Sequence, residues 1–153
     1  MKVLVFAIGS DRYGLPLQAV ARVLPVVALK QIPLAPDFVA GLMDLHGVPV
    51  PVLDISRLAG VPAGQLWLDS RIVLVDYQLD DGSTRPLGLL VEHVTGIESI
   101  EAQTLADPGI EGAPFLGAVS AQLQLVEVND LLAPDVRALL FARDGAALES
   151  ERA

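Results

Sequence analysis

No cysteine occurs in the 153 residues, so neither a disulfide framework nor thiol chemistry is available. Positive charge is sparse as well. Ten Lys and Arg face nineteen Asp and Glu, a formal net charge of -9, and the basic residues are scattered without a cluster. That excludes a phosphate-neutralising surface, so no nucleic acid partner is expected, and it disfavours an anionic membrane surface. No apolar run approaches the ~18 residues of a membrane span, because Pro25 breaks the stretch from Val23 to Leu29. No membrane insertion is expected. Met1-Lys2 leads straight into Val3 to Gly9, too short for a secretory signal and without its cleavage-site pattern. The expected location is the cytoplasm, and the expected partners are other proteins.

Aromatic residues make up 5% of the chain while hydrophobic residues make up 52%, so Val, Leu, Ile and Ala must do most of the packing. The most telling stretch, Val39 to Asp54, contains almost no chemistry. Gly41 and Gly47 punctuate it, and Val48, Val50 and Val52 alternate with Pro49 and Pro51. Alternation puts the three valines on one face of an extended chain. The prolines offer no N–H on the other phase, so this strand can pair fully on one side at most. The segment reads as a shape and an exposed strand edge, closed by Asp54 as a polar stop.

Short strands dominate the rest. Residues 2–9 and Tyr13-Gly14-Leu15 suggest an opening hairpin. After Pro16, the spacing of Leu17, Val20 and Val23 or Leu24 fits a buried helical face, though β-branched residues equally permit a strand from Val20. Ile32 to Pro36 is a rigid connector, and Asp37 is placed to cap a turn over Phe38 to Ala40. Ile55 to Ala59 resembles one helical turn with Gly60 as its stop. Val61 to Asp69, with the lone Trp67, reads as a loop. Arg71 to Tyr77 is the least ambiguous strand, and the Asp81-Gly82 step turns it back along Arg85 to Val94. Thr95-Gly96 interrupts that return, and Ile97 and Ile100 resume an extended phase. Residues 101–114 read as a loop. Phe115 to Val119 and Leu123 to Val128 form a last strand pair, and Pro134 opens a helix reaching Arg143, docked by Leu139, Leu140 and Val136. No sequence repeat stands out. Many short strands with Gly/Pro turns point to small, strongly curved sheets or barrels.

Reactive constellations are missing. The two histidines, His46 and His93, stand without zinc-ligand spacing, and no nucleophile elbow, phosphate loop or dinucleotide glycine pattern occurs. No catalysis, no metal and no cofactor is therefore expected. Asp80-Asp81 reads as a solvated turn, and Asp44 and Asp54 read as caps or surface charges. Arg22 is a solvated charge by default; the sharper reading joins it to Asp44 and His46 on a recognition face.

These residues, taken together, resemble the CheW-like domain, the adaptor module of bacterial chemotaxis-type signalling. The matching elements are Phe6 to Gly9 followed by Tyr13 to Pro16, Val20-Ala-Arg-Val23, Ile32-Pro33 with Ala35-Pro36, Val39-Ala-Gly-Leu42 and Leu45-His-Gly47. Val48 to Asp54, Arg71 to Val75, Leu87 to Val94, Phe115-Leu-Gly117 and Val126 to Leu132 complete the pattern, whose order holds from about residue 2 to 140.

The resemblance implies a mainly β fold: two small SH3-like five-stranded barrels packed together, with short helices and a C-terminal helix. It implies one domain over 1–143, built of two intertwined barrel subdomains, and a flexible tail over 144–153. It implies a non-enzymatic scaffold that couples a methyl-accepting chemoreceptor's cytoplasmic tip to the regulatory domain of a CheA-type histidine kinase. Carried onto this chain, the receptor-binding residues are Val20, Arg22, Gly41, Asp44 and His46. Three of these depart from the family. An acidic residue often stands at the place of Arg22, asparagine at that of Asp44, and arginine at that of His46. The family's acidic–basic pair cannot form here as Arg22–His46; either Arg22 pairs with Asp44, or the receptor surface has been rewritten. The alternative function is a regulatory domain binding a small ligand in the crevice between the barrels.

Overall fold

The computed structural model describes residues 1–61, 70–101, 116–120 and 123–141. Ten strands are described: β1 (Lys2–Ile8), β2 (Asp11–Pro16), β3 (Val20–Pro25), β4 (Val39–Leu45), β5 (Val48–Asp54), β6 (Arg71–Gln78), β7 (Thr84–Val91), β8 (His93–Ser99), β9 (Leu116–Ser120) and β10 (Leu123–Val126). Two helices, α1 (Ile55–Leu58) and α2 (Pro134–Phe141), and 3-10 turns at Leu17–Ala19 and Val128–Asp130 complete them. Among the described residues no helix is long and apolar enough to cross a membrane.

The strands form two five-stranded sheets, ordered β8-β1-β2-β10-β9 and β3-β6-β7-β5-β4. The fold is mainly β, as expected, and each sheet is assembled in the same way. A hairpin (β9β10 or β4β5) joins a second hairpin (β2β1 or β7β6) through a parallel pair, and one further strand (β8 or β3) covers the far side. The chain thus runs twice through three strands followed by a hairpin, β1 to β5 and then β6 to β10, and the two runs exchange partners. Gly14 and Gly88 take matching places beside the two parallel pairs. No repeat is visible in the sequence because burial, which any aliphatic residue satisfies, is nearly all that the two runs share.

Alternation explains how so aliphatic a chain fills this frame. Val3 and Val5 of β1 enter one small cluster with Leu123 and Leu125. Ile72 and Leu74 of β6 enter another with Met43, Val50 and Val52. The opposite phases, Leu4, Phe6 and Ile8 together with Val73, Val75 and Tyr77, meet in a third and largest cluster that unites the two sheets. A strand buried on both faces reads as an unbroken apolar run, which is why β1 and β6 were the clearest strands.

Several local expectations change. After Pro16 the helical alternative is confined to the 3-10 turn at Leu17–Ala19, and the strand reading holds from Val20. Val39 and Ala40 belong to β4 rather than to a turn capped by Asp37, whose carboxylate instead lies 3.7 Å from Arg57. β7 ends at Val91, and the chain changes sheets at Glu92. Thr95-Gly96 does not break β8. It forms a bulge against Val5 and Phe6, with Gly96 at φ 135° and the Thr95 hydroxyl donating to the Val5 carbonyl oxygen. On α2 the buried residues are Val136 and Phe141, while Leu139 is half exposed and Leu140 only partly buried. The reason is aromatic: Phe141 stacks on Tyr77 at 5.6 Å, and the Arg85 guanidinium lies over its ring at 5.7 Å. The expected loops at 62–69 and 102–114, with Trp67, and the tail over 144–153 lie outside the described residues.

Candidate protein interface

The telling stretch becomes the β4–β5 hairpin. β5 pairs with β4 from Val48 to Leu53 but with β7 only from Val52 to Asp54. The prolines thus limit pairing to one side over half the strand, as expected. β5 is nevertheless an inner strand, not the exposed edge anticipated; β4 and β3 end the sheet. Val50 and Val52 are buried, whereas Val48 at the hairpin end is 50% exposed.

Leu45 pairs with Val48, leaving His46 and Gly47 as a two-residue turn with φ of 51° and 87°. Two positive φ values are what a type I′ hairpin turn requires, and His, with Asn and Asp, is enriched in that conformation. The Asp44 carboxylate locks the turn by accepting from the Gly47 N–H at 2.7 Å. Asp44 and His46 therefore sit together, both exposed, at one hairpin tip. The sequence signal for this turn is the two-residue His46-Gly47 step between the apolar segments ending at Leu45 and beginning at Val48.

Val20 and Arg22 lie on β3, at the other end of the strand order. Val20 is half-buried and packs against the central cluster; Arg22 is exposed. Among the described residues no ion pair joins Arg22 to Asp44, whose carboxylate serves the turn instead. Gly41, by contrast, is buried. The chain that follows β3 folds back onto β4 here, with Lys30 and Leu42 exchanging both backbone hydrogen bonds at 2.9 and 2.7 Å. Gly41 thus shapes the surface from beneath, where the other four candidates stand on or at it.

Asp54 is 8% exposed and caps α1. Burial pushes its carboxyl above the usual range, opposed by the Arg57 and Ser56 N–H groups and the Arg57 guanidinium, with Glu92 adding to the rise. Arg57 lies 3.8 Å from Asp54 and 3.7 Å from Asp37, tying the connector before β4 to α1.

Beside the hairpin lies an apolar cleft of about 380 Å³, where β5 and β7 diverge at Pro49, Pro51 and Pro86 and the end of α2 approaches. Leu42 and Pro49 also line a second hollow of about 300 Å³ that reaches Asp44, so the apolar surface continues to the hairpin tip. Arg85 is the only charged or polar side chain lining the larger cleft among the described residues. A small-ligand site needs several convergent polar groups. The space between the sheets is filled by the central cluster, and both observations weigh against the ligand-binding alternative. Among the described residues no group of three or more His, Asp or Glu side chains is placed to hold a metal ion.

A family model described as the CheW-like domain matches residues 2–140, a span that includes both sheets. The chemotaxis protein CheW of Klebsiella aerogenes is 29% identical over 147 residues, covering 90% of this chain and 84% of that protein. The chemotaxis protein CheW of Treponema pallidum is 22% identical over 131 residues, covering 79% and 73%. The crystal structure of the scaffolding protein TtCheW from Thermoanaerobacter tengcongensis matches with a TM-score of 0.76 at 24% identity, covering 88% of this chain and 89% of that one, and has the same fold. By sequence over nearly its whole length, this chain belongs to the CheW-like domain family.

Proposed function

We propose that this chain is the non-enzymatic adaptor of a chemotaxis-type pathway, joining a chemoreceptor's cytoplasmic tip to the regulatory domain of a CheA-type histidine kinase. The family match over residues 2–140 carries this reading. The architecture suits it. Two sheets fused through one core hold widely separated surface residues in fixed relation, and rigid surfaces bind without a large ordering cost. Affinity comes from apolar barrel surface, while charges choose the partner.

On this reading Val20, Arg22, Asp44 and His46 form the receptor-facing surface, with Gly41 supporting it. That Arg22 is exposed and not paired with Asp44 supports the reading of a rewritten receptor surface over one rebalanced by an Arg22–Asp44 pair. Its partner receptor then carries an acidic side chain opposite Arg22. Titration of the chain with the kinase regulatory domain from the same genome tests the adaptor role. Saturable binding below ~100 µM supports it, and no binding at that concentration overturns it.

A further inference from the structure

Asp81-Gly82 is one of two Asp-Gly steps in the chain, the other being Asp144-Gly145. At such a step the glycine amide nitrogen can attack the aspartyl side-chain carbonyl, because no Cβ on the following residue obstructs the approach. A bond between Gly82 N and Asp81 Cγ closes a succinimide ring, and the carboxyl hydroxyl leaves as water with the amide proton. Hydrolysis then adds one water back. Cleavage of the bond to Cγ restores aspartate. Cleavage of the bond to the Asp81 main-chain carbonyl leaves the backbone running through Cβ and Cγ, as isoaspartate. No oxidant, reductant or cofactor is needed.

This turn both exposes the step and restrains it. Asp80, Asp81, Gly82 and Ser83 are all exposed. Nothing lies within 4 Å of where a Cβ would stand on Gly82, so the turn has room to rearrange. Both reacting groups are nevertheless engaged. The Gly82 N–H donates to the Leu79 carbonyl oxygen at 3.0 Å, and the Leu79 N–H donates to the Ser83 carbonyl oxygen at 2.8 Å. The Asp81 carboxylate accepts from the Ser83 N–H at 2.9 Å and from the Ser83 hydroxyl at 2.5 Å. These bonds, the hydroxyl's foremost, hold the carboxyl below its usual range, whereas ring closure consumes the protonated acid.

We propose that Asp81 is a site of isoaspartate formation whose rate is set by the Ser83 side chain. The modification reaches beyond the turn. Asp80 lies 3.4 Å from Arg137 of α2, and Leu79, Asp81, Pro134 and Phe141 line the hollow between turn and helix. Isoaspartate lengthens the backbone of the turn by one methylene, which breaks the register of both hydrogen bonds made by Leu79. Conversion therefore draws Asp80 from Arg137 and loosens the docking of α2.

Ageing the full chain at neutral pH tests this, with peptides mapped by electron-transfer mass spectrometry, which separates isoaspartate from aspartate. Isoaspartate is expected at Asp81, forming more slowly in the folded chain than in urea. Ser83→Ala removes the hydroxyl but keeps the N–H, and should raise the folded-state rate about 3-fold or more, the scale of one lost hydrogen bond. Ser83→Thr, which keeps a hydroxyl, should stay near the original rate. Asp144-Gly145 is the internal control and should convert equally in all three chains. The Arg137 amide, which donates to the Ala133 carbonyl oxygen at 2.9 Å, should exchange hydrogen faster in the converted protein. No isoaspartate at Asp81, equal rates in folded and unfolded chains, or equal rates with and without the Ser83 hydroxyl would overturn the proposal. A matching rise at Asp144 would assign the effect of Ser83→Ala to global unfolding and overturn it too. Unchanged exchange at Arg137 would overturn the coupling to α2.

Discussion

Gly41 lies so close beneath Lys30 that a Cβ on it would fall 2.6 Å from the Lys30 carbonyl oxygen and 3.0 Å from the Leu29 Cβ. Its φ of 148° also disfavours other residues. The obstacle is backbone, in the pair of hydrogen bonds that fastens the connector to β4. Gly41→Ala should therefore destabilise the fold by about 1–3 kcal/mol and displace the connector. Urea unfolding measures the first effect, and protection of the Lys30 and Leu42 amides from hydrogen exchange the second. Unchanged protection would show that the connector does not depend on this glycine.

Gly88 and Gly14 separate the same effect into two strengths. A Cβ at Gly88 would stand 2.9 Å from Val52 Cγ2 and 3.2 Å from Ile72 Cγ2, both fully buried and β-branched. A Cβ at Gly14 would first meet the end of the more adaptable Leu123 side chain, at 3.0 Å. Gly88→Ala should cost about 1–3 kcal/mol by overpacking, and Gly14→Ala less. Equal shifts in chemical denaturation would mean that side-chain adaptability does not set the difference.

Leu89 is completely buried in the cluster that unites the sheets. Leu89→Ala should cost about 2–4 kcal/mol, read as a shift in the denaturation midpoint. A loss under about 1 kcal/mol would place this strand outside the shared core.

How far the sequence foretold this fold depended on how local each feature was. The runs Val3 to Ile8 and Arg71 to Tyr77 were legible because strands buried on both faces need no alternation. The helical turn after Asp54, stopped at Gly60, was legible from its cap and its glycine, and Gly60 indeed has φ 82°. Sheet membership was not. Residues 93–99 leave the sheet of β7 to pair with β1, a choice made by packing between segments some ninety residues apart. The docking face of α2 turned on the Tyr77–Phe141 stack, which no helical spacing reveals. At the candidate site, Asp44 and His46 share one hairpin tip because of the His46-Gly47 turn, while Arg22 stands on β3, a placement that local sequence does not reveal. The positive φ of Leu34, 63°, was not legible either, because nothing in Pro33-Leu34-Ala35-Pro36 signals it.

Asp54 links stability to pH with a definite sign. Its folded pKa lies above the unfolded value, chiefly through burial, so the folded state holds its proton more tightly. Stability from this group is therefore greatest below the unfolded pKa and declines as pH rises from ~4 through the raised value. Asp54→Asn keeps an oxygen for the Ser56 and Arg57 N–H groups without the buried charge. It should flatten that decline and leave stability at neutral pH unchanged or higher, whereas Asp54→Ala should lose about 1 kcal/mol of capping. Denaturation midpoints from pH 4 to 7 decide it; an unflattened slope for Asp54→Asn would assign the pH dependence to other groups.

The adaptor reading requires that the receptor and the kinase use separable surfaces, and Arg22 tests that most directly. Arg22 is exposed, so reversing its charge should change stability by about 0.5 kcal/mol or less. Binding of the Arg22→Glu variant to the receptor tip and to the kinase regulatory domain should be measured side by side, with the Arg22→Glu/His46→Arg double variant included. The account predicts weakened receptor binding, unchanged kinase binding, and a shift of the double variant toward receptors of the common type. Equal loss at both partners, or no loss at either, would contradict it.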